Sequence, residues 1–223
     1  MGGKYRLGPR YPIPKYPVIV EPFAGGAGYS LRHSHLQVRL FEVYEPLVQM
    51  WDWLIHTSES EVRRIPLVED INELPGWVPE GARVLVGFAF GENEVRPRLR
   101  LSAGCRKNLA TGRKFKGWTE AIRNRVATQV DQIKHWKITQ GDYRRAIQGP
   151  ATYFVDPPYH KGGKNYVCSK IDYDVLGSWC LNLPGQTIVC EQTGAEWLPF
   201  EPLHTFKTTL SGTQTGEVVW ING

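Results

Sequence analysis

The sequence offers few side chains for a metal site or a disulfide framework. Its four cysteines form no C-x-x-C pair, and none stands near a histidine at the spacing of zinc ligands. A structural zinc ion needs four ligands that usually come in such close pairs. We therefore predict no metal and expect reduced, mostly buried thiols at Cys105, Cys168, Cys180 and Cys190.

Long apolar runs are also missing. No stretch approaches the roughly 20 apolar residues that cross a bilayer, and the chain opens without a charged leader and apolar segment. We expect a cytoplasmic protein with no membrane partner. With 41% hydrophobic residues, a chain of 223 residues can build a catalytic domain that carries a small second region. We predict that it is a monomer.

Acidic residues are scarce in one segment, residues 96–125, where Glu120 is the single acid among ten basic side chains. With a net charge of +5, this clustering favours a polyanionic partner. We call residues 96–125 the basic segment. Its predicted DNA contacts are Arg106, Lys107, Arg113, Lys114, Lys116 and Arg123.

The apolar pattern predicts an α/β fold with a doubly wound, mostly parallel sheet. Short β-branched runs indicate strands, and longer mixed stretches indicate helices. The predicted strands are residues 17–21, 38–42, 151–155, 186–190 and 216–220, and the predicted helices are 29–35, 46–55 and 173–181. The rhythm breaks between residues 52 and 138, so we predict a core of residues 1–51 and 139–223 with residues 52–138 inserted.

Asp156-Pro157-Pro158-Tyr159 directly follows a predicted strand, so it should lie at the carboxyl end of the sheet, where open α/β folds bind ligands. A carboxylate and a backbone carbonyl there can accept hydrogen bonds from an aromatic amino group and make its lone pair available. The prolines fix the loop, and the tyrosine can stack on a flipped base. The alternative is a diproline turn that ends in a packed tyrosine.

The loop at residues 21–28 follows the first strand, and its glycines let the backbone approach a ligand closely. An acid at the end of the next strand can hold ribose hydroxyls, and both Glu42 and Glu45 are candidates. Asp142 can accept a hydrogen bond from an adenine amino group, with Tyr143 against the ring, or it can cap a helix. The histidines, His160 among them, are interpreted as surface or packing residues.

These motifs together resemble the DNA adenine methylase (Dam-like) family, including its phage-encoded members, over most of the chain. Gly2-Gly3-Lys4 is similar to the family's GGK motif, residues 21–28 to its FxGxG loop, and residues 156–159 to its DPPY motif. The family's DNA-recognition region lies where this chain has its insertion. The resemblance implies a Rossmann-like methyltransferase fold.

The resemblance also implies an activity: transfer of a methyl group from S-adenosylmethionine to N6 of a flipped-out adenine in double-stranded DNA. It implies a catalytic motif of Asp156, Pro157, Pro158 and Tyr159. The cofactor contacts expected from it and from the loop are Lys4, Phe23, Ala24, Gly25, Gly28, Glu42, Asp142 and Tyr143. A bacterial or phage-infected host is the expected setting.

Three rival interpretations stay open on the sequence alone. The same motif logic serves enzymes that methylate N4 of cytosine in DNA or adenine in RNA. A catalytically silent nucleic-acid-binding protein can retain the same scaffold, although an intact Asp-Pro-Pro-Tyr motif speaks against it. A nicotinamide dehydrogenase is disfavoured, because the glycine spacing is not G-x-G-x-x-G.

Overall fold

The structure of the chain is a computed structural model that describes residues 3–91, 95–113, 117–146, 149–160, 170–207 and 214–223. Four residues named above lie outside these ranges: Gly2 of the GGK motif, Lys114 and Lys116 of the basic segment, and Cys168.

The chain divides into two compact units. The core unit contains Met1–Val43 and Thr139–Gly223, and the inserted unit contains Tyr44–Ile138. The first boundary therefore falls before the helix at residues 45–56, which belongs to the inserted unit. That the inserted unit recognises DNA stays a prediction.

Seven strands of the described chain form one sheet in the order β3-β2-β1-β4-β5-β7-β6. Strand β1 pairs in parallel with β2 and β4, β4 pairs in parallel with β5, and β7 is antiparallel to β5 and β6. The strands are β1 Val18–Glu21, β2 Gln37–Glu42, β3 Lys137–Gln140, β4 Ala151–Val155, β5 Gly185–Gln192, β6 Glu201–Lys207 and β7 Gln214–Asn222. The predicted fold class, an α/β fold with a doubly wound, mostly parallel sheet, is confirmed.

Helices of the core unit are short. Helix α1 spans Gly3–Leu7 and α7 spans Tyr173–Leu181, the range that the sequence predicts. The side chain of Asp172 caps α7 by accepting hydrogen bonds from the backbone N–H groups of residues 174 and 175, both at 3.1 Å. The helix predicted for residues 29–35 is a single 3₁₀ turn, Ser30–His33.

The hydrophobic core of this unit lies against the central strands. All five residues of β4 are buried, as a strand between two parallel neighbours requires. Tyr153 and Val155 of β4 pack with Leu176 of α7 and Val189 of β5. The ring of Phe154 stacks on Tyr29 with 4.2 Å between centroids. The sheet therefore presents a rigid edge to the loops that follow its strands.

The inserted unit is helical in the residues that the structure describes. Its helices are α2 Glu45–His56, α3 Glu59–Arg64, α4 Glu80–Ala89, α5 Ala103–Ala110 and α6 Glu120–Val130. Helix α4 packs closely on α2 at Gly81, where a Cβ atom would lie 2.3 Å from the carbonyl oxygen of Gln49. Ser58 begins α3 with a capping box.

Among the described residues, no helix is long and apolar enough to span a bilayer. No cluster of histidine, cysteine, aspartate or glutamate there has a metal-binding arrangement. Cys180 and Cys190 are buried thiols, as predicted, and Cys105 is partly exposed.

Candidate active site

Two sequence motifs follow neighbouring strands at the point where the strand order reverses. They are the loop at residues 21–28, which we call the glycine loop, and the DPPY motif at residues 156–159. From β1 the chain proceeds to β2 and β3 on one side, and it then returns to β4 on the other. The glycine loop follows β1, and Asp156 follows β4 directly. In open α/β sheets, ligands bind outside the carboxyl ends of the strands at this switch point. The fold thus brings both predicted motifs to one place.

Lys4 of α1 joins these motifs to the edge of the sheet. Its ammonium nitrogen lies 3.1 Å from Oδ1 of Asp156 and contacts Oε1 of Glu217 and the hydroxyl of Tyr159. The side chains of Lys4, Asp156 and Glu217 are only 13%, 27% and 9% exposed. The lysine of the GGK motif and the aspartate of the DPPY motif therefore form one mostly buried ion pair.

Glu217 of β7 is a member of this group that the sequence did not identify as a site residue. It accepts a hydrogen bond from the hydroxyl of Tyr11 at 2.8 Å, and the hydroxyl of Tyr159 lies 3.0 Å from its Oε2. One sequence signal could have identified Glu217: it is an acid directly before an apolar run in the last strand. An acid in a buried strand needs a partner for its carboxylate, so such a position indicates an ion pair or hydrogen bond. The partner, Lys4, lies near the opposite end of the chain.

Burial and charge shift the ionisation of the group. Burial alone lowers the pKa of Lys4, but the Asp156 carboxylate beside it raises that pKa well above the usual range. Burial raises the pKa of Asp156 to about 6, although the Lys4 ammonium pulls it down; the nearby Glu217 carboxylate adds to the rise. Asp156 is therefore ionised at neutral pH and still able to take up a proton just below it.

Gly28 explains how Lys4 reaches the site. A Cβ atom at Gly28 would lie 2.7 Å from the backbone nitrogen of Tyr5 and 3.1 Å from Cβ of Lys4, so only glycine lets α1 pack on the loop. This packing is a structural reason for Gly28 beside the predicted cofactor contact, which stays a prediction.

The glycine loop is held by Glu42 at the end of β2. Gly25 adopts a φ of +45°, which favours glycine, and a Cβ atom there would meet nothing within 4 Å. Its backbone N–H donates to Oε2 of Glu42 at 3.0 Å, and the backbone N–H of Val43 donates to Oε1 at 3.0 Å. A carboxylate oxygen has two lone pairs and can accept more than one hydrogen bond. Of the two candidate acids, Glu42 is the one whose carboxylate contacts this loop, whereas Oε1 of Glu45 accepts a hydrogen bond from the side-chain amide of Gln49 at 3.1 Å.

Aromatic rings form one side of the glycine loop. Phe23 stacks on Tyr143 with 5.5 Å between the ring centroids, and Ala24 is buried. Asp142 accepts hydrogen bonds from the backbone N–H and the guanidinium of Arg144, at 3.0 Å and 2.6 Å. Partial burial raises the pKa of Asp142, but these two hydrogen bonds lower it overall. It therefore begins the 3₁₀ turn at Tyr143–Ala146 as an ionised acceptor, the capping role that the sequence offered as an alternative.

Residues of α7 and β5 fix the backbone of the loop that carries the DPPY motif. Pro157 and Pro158 are buried, and the hydroxyl of Tyr173 on α7 donates to the carbonyl oxygen of Pro158 at 2.5 Å. The backbone N–H of His160 donates to Oε1 of Glu191, a fully buried carboxylate on β5, at 2.7 Å. Tyr173 and Glu191 were not predicted as site residues, because each bonds to the loop from a position at least 15 residues away along the chain.

In the inserted unit, the predicted DNA contacts fall into two groups. Arg106 and Lys107 of α5 and the nearby Arg113 are exposed. Arg123 of α6 is half-buried instead, and its Nη1 donates to the carbonyl oxygen of Ile65 at 2.9 Å, just after α3. The first three are free to meet solvent or a polyanion, whereas Arg123 links two parts of its own unit.

Comparisons with known proteins give distant structural likenesses. No protein-family model matches the chain, and no curated protein matches its sequence. Among solved structures, the chain is similar to the rRNA methyltransferase AviRa from Streptomyces viridochromogenes, with 15% identity, 97% of this chain and 80% of that chain covered, and a TM-score of 0.40. It is also similar to a conserved hypothetical protein of Streptococcus pyogenes, with 12% identity, coverage of 92% and 86%, and a TM-score of 0.37.

Proposed function

We propose that this chain is an S-adenosylmethionine-dependent methyltransferase that acts on N6 of adenine in double-stranded DNA. One observation carries the proposal. The glycine loop after β1 and the Asp-Pro-Pro-Tyr loop after β4 flank the switch point of the sheet, and Lys4 ties the second loop to α1, which packs on the first. A donor site and an acceptor site for a transferred group are thereby adjacent.

The residues around the glycine loop fit an adenosyl cofactor. Open space at Gly25 leaves room for a ligand against the backbone, and the Glu42 carboxylate beside it can accept hydrogen bonds from ribose hydroxyls. Phe23 is partly exposed and rests on the buried ring of Tyr143, so it offers aromatic surface to an adenine ring, and the ionised Asp142 can accept from its amino group. When bound, S-adenosylmethionine supplies an electrophilic methyl group on a positively charged sulfur.

Asp156 is the proposed catalytic residue that contacts the target amino group. Lys4 holds Oδ1 of Asp156, so the carboxylate is fixed before any substrate arrives. The carboxylate accepts a hydrogen bond from the target amino group, and the backbone carbonyl of Pro157 accepts the second. These two acceptors would hold the nitrogen lone pair out of conjugation with the ring, so that it would be free to attack an electrophilic methyl carbon. With a pKa of about 6, Asp156 is placed to take up the proton that the nitrogen loses.

Tyr159 offers its ring as a stacking surface, and its contacts fix the orientation of that ring. Its hydroxyl is held by Glu217, at 3.0 Å from Oε2, and the Lys4 ammonium lies 4.9 Å from its ring centroid. The ring therefore has a fixed orientation against which a flipped base can stack. For the DNA partner, the exposed cations of the basic segment supply phosphate contacts.

A labelled methyl transfer reaction tests the proposal. Purified protein is incubated with S-adenosylmethionine that carries a tritiated methyl group and with unmethylated plasmid DNA, and the DNA is digested to nucleosides. We expect the label in N6-methyladenine, and an initial rate about a hundred- to a thousand-fold lower with Asp156→Asn. Label in N4-methylcytosine, or transfer to RNA but not to DNA, would contradict the proposed target. Calorimetry that shows no cofactor binding at millimolar concentration would contradict the reaction class.

A further inference from the structure

An open cavity of about 440 Å³ lies in the core unit beside the end of the DPPY loop. Three aromatic rings line it, His160 directly after the motif, Tyr173 at the start of α7 and Trp197 after β5, together with the acidic residues Asp174 and Glu196. Asp156 is not among its described lining residues. A volume of this size admits a small planar ligand.

The three rings form an open row. The centroids of His160 and Tyr173 are 4.8 Å apart with their planes tilted by 60°, and those of Tyr173 and Trp197 are 5.5 Å apart with a tilt of 52°. Trp197 also packs edge-to-face with Phe200, with 5.0 Å between centroids. His160 is exposed and Tyr173 and Trp197 are partly exposed, so each ring keeps surface on which a planar ligand can stack. Nucleobases stack on such rings whatever their sequence.

Hydrogen bonds connect both walls of the cavity to the catalytic loop. Glu191 accepts from the backbone N–H of His160 at 2.7 Å and from the indole N–H of Trp197 at 3.2 Å through the same oxygen. The hydroxyl of Tyr173 holds the carbonyl oxygen of Pro158. The cavity is therefore a built feature whose walls are set by the loop that carries Asp156.

The charge of the lining selects the kind of ligand. Asp174 and Glu196 bring two carboxylates, and no described lining residue is a lysine or an arginine, although the whole chain is basic. Carboxylates accept hydrogen bonds from exocyclic amino groups of bases. A base with such a group satisfies both the rings and the acids.

We propose that this cavity binds a second, unstacked nucleobase that bears an exocyclic amino group, from a nucleotide close to the target adenine. The inference rests on the proposed function for the position of the target. Four residue steps from Asp156 to His160 span at most about 14 Å, so neighbouring nucleotides of one strand can occupy the two positions. The cavity would then read the sequence next to the methylated base.

A fluorescence titration tests this proposal without cofactor. The probe is a short single-stranded thymidine oligonucleotide with one central 2-aminopurine, a fluorescent base with an exocyclic amino group, and the all-thymidine oligonucleotide is the competitor. We expect quenching of the probe and weaker binding of the competitor. Trp197→Leu should weaken probe binding by roughly five- to a hundred-fold, the range for loss of one stacked base. Trp220→Leu, a partly buried tryptophan outside the lining, is the matched control.

The acidic pair supplies an independent arm. Asp174→Ala with Glu196→Ala should remove the preference for 2-aminopurine over thymidine, whereas Glu201→Ala, an exposed acid outside the lining, should keep it. Equal binding of both oligonucleotides by the parent protein, or unchanged quenching in Trp197→Leu, would overturn the proposal. Methyl transfer without quenching would sink only this second site, and quenching without methyl transfer would sink only the proposed reaction.

Discussion

The charges of the two units differ in how they meet water. In the core unit, Lys4, Asp156 and Glu217 are mostly buried and satisfy one another at short distances. In the inserted unit, the ion pair between Arg63 and Glu59 on α3 has side chains that are 41% and 42% exposed, and Arg106 is exposed. Water and salt screen exposed charges, whereas a buried charge that loses its partner has no substitute. Single substitutions should therefore cost far more in the first group than in the second.

The largest expected effect is at Asp156. Asp156→Asn keeps the shape of the side chain but presents a donor in place of one acceptor oxygen, so the proposed target amino group would lose its hydrogen bond. Removal of one preorganised contact of this kind lowers the rate by about a hundred- to a thousand-fold. Single-turnover rates of methyl transfer measure the loss, and calorimetry with cofactor is the control. A variant that binds cofactor and DNA and still reacts at nearly the parental rate would make Asp156 a turn residue.

The structure explains why Asp156 and Lys4 could be found from the sequence, whereas Glu217 and the ion pairs among the three residues could not. Asp156 directly follows the apolar run of β4, and the four motif residues are contiguous, so a local pattern contains them. The contact between Lys4 and Glu217 joins residues 213 positions apart, and no local pattern encodes it. A sequence reader sees an acid in a strand, but only the fold shows what neutralises it.

Position in the sheet separates the strands that were predicted from those that were missed. Strands β1, β2, β4, β5 and β7 contain apolar runs, because they pack inside the sheet, and each was predicted within a few residues of its ends. Strands β3 and β6 lie at the two edges. Edge strands tolerate polar residues and proline, which β6 has at Pro202, so their sequences lack a clear alternation.

A second test of the buried charges in the core unit uses Glu21 at the end of β1. Its carboxyl is 2% exposed and accepts from the backbone N–H of Ser30 at 2.8 Å. Burial raises its pKa from 4.5 to about 8, so between these values the folded state binds more protons than the unfolded state. Stability must then fall as pH rises through this window, by on the order of a few kcal/mol.

Glu21→Gln should remove most of that pH dependence, because the amide is neutral throughout and its oxygen can still accept from Ser30. Denaturant unfolding across the window between the two pKa values, 4.5 and about 8, measures the slope for both proteins. An equal slope in the parent and the variant would show that Glu21 is not the buried group responsible.

Glu217→Gln should have a smaller effect on rate and a distinct effect on pH dependence. In the parent protein, activity should fall as pH drops through about 6, where Asp156 becomes protonated. Loss of the Glu217 charge removes one cause of the raised pKa of Asp156 and leaves Lys4 to pair with Asp156 alone. Both changes lower that pKa, so the midpoint of the acidic limb should move to lower pH.

The expected loss of rate is about tenfold, since Tyr159 keeps an acceptor but Lys4 loses a charged one. A profile of kcat against pH separates this positioning role from a purely structural one, which would change the amount of folded protein without moving the midpoint. A midpoint that rises or stays fixed would contradict the proposed coupling among Lys4, Asp156 and Glu217.

The smallest effect per residue is expected in the basic segment, and it should depend on salt. Arg106, Lys107 and Arg113 are exposed, so each phosphate contact they make contributes about −0.9 to the slope of log K against log salt concentration. Replacing all three with glutamine should make that slope shallower by up to about 2.7 and leave cofactor binding unchanged. Arg123→Gln is the internal contrast, because its guanidinium donates to the carbonyl of Ile65. It should lower thermal stability with little change of slope. If the triple variant keeps the parental slope while Arg123→Gln alters it, the half-buried arginine is the DNA contact and the exposed cations are only solvated charges.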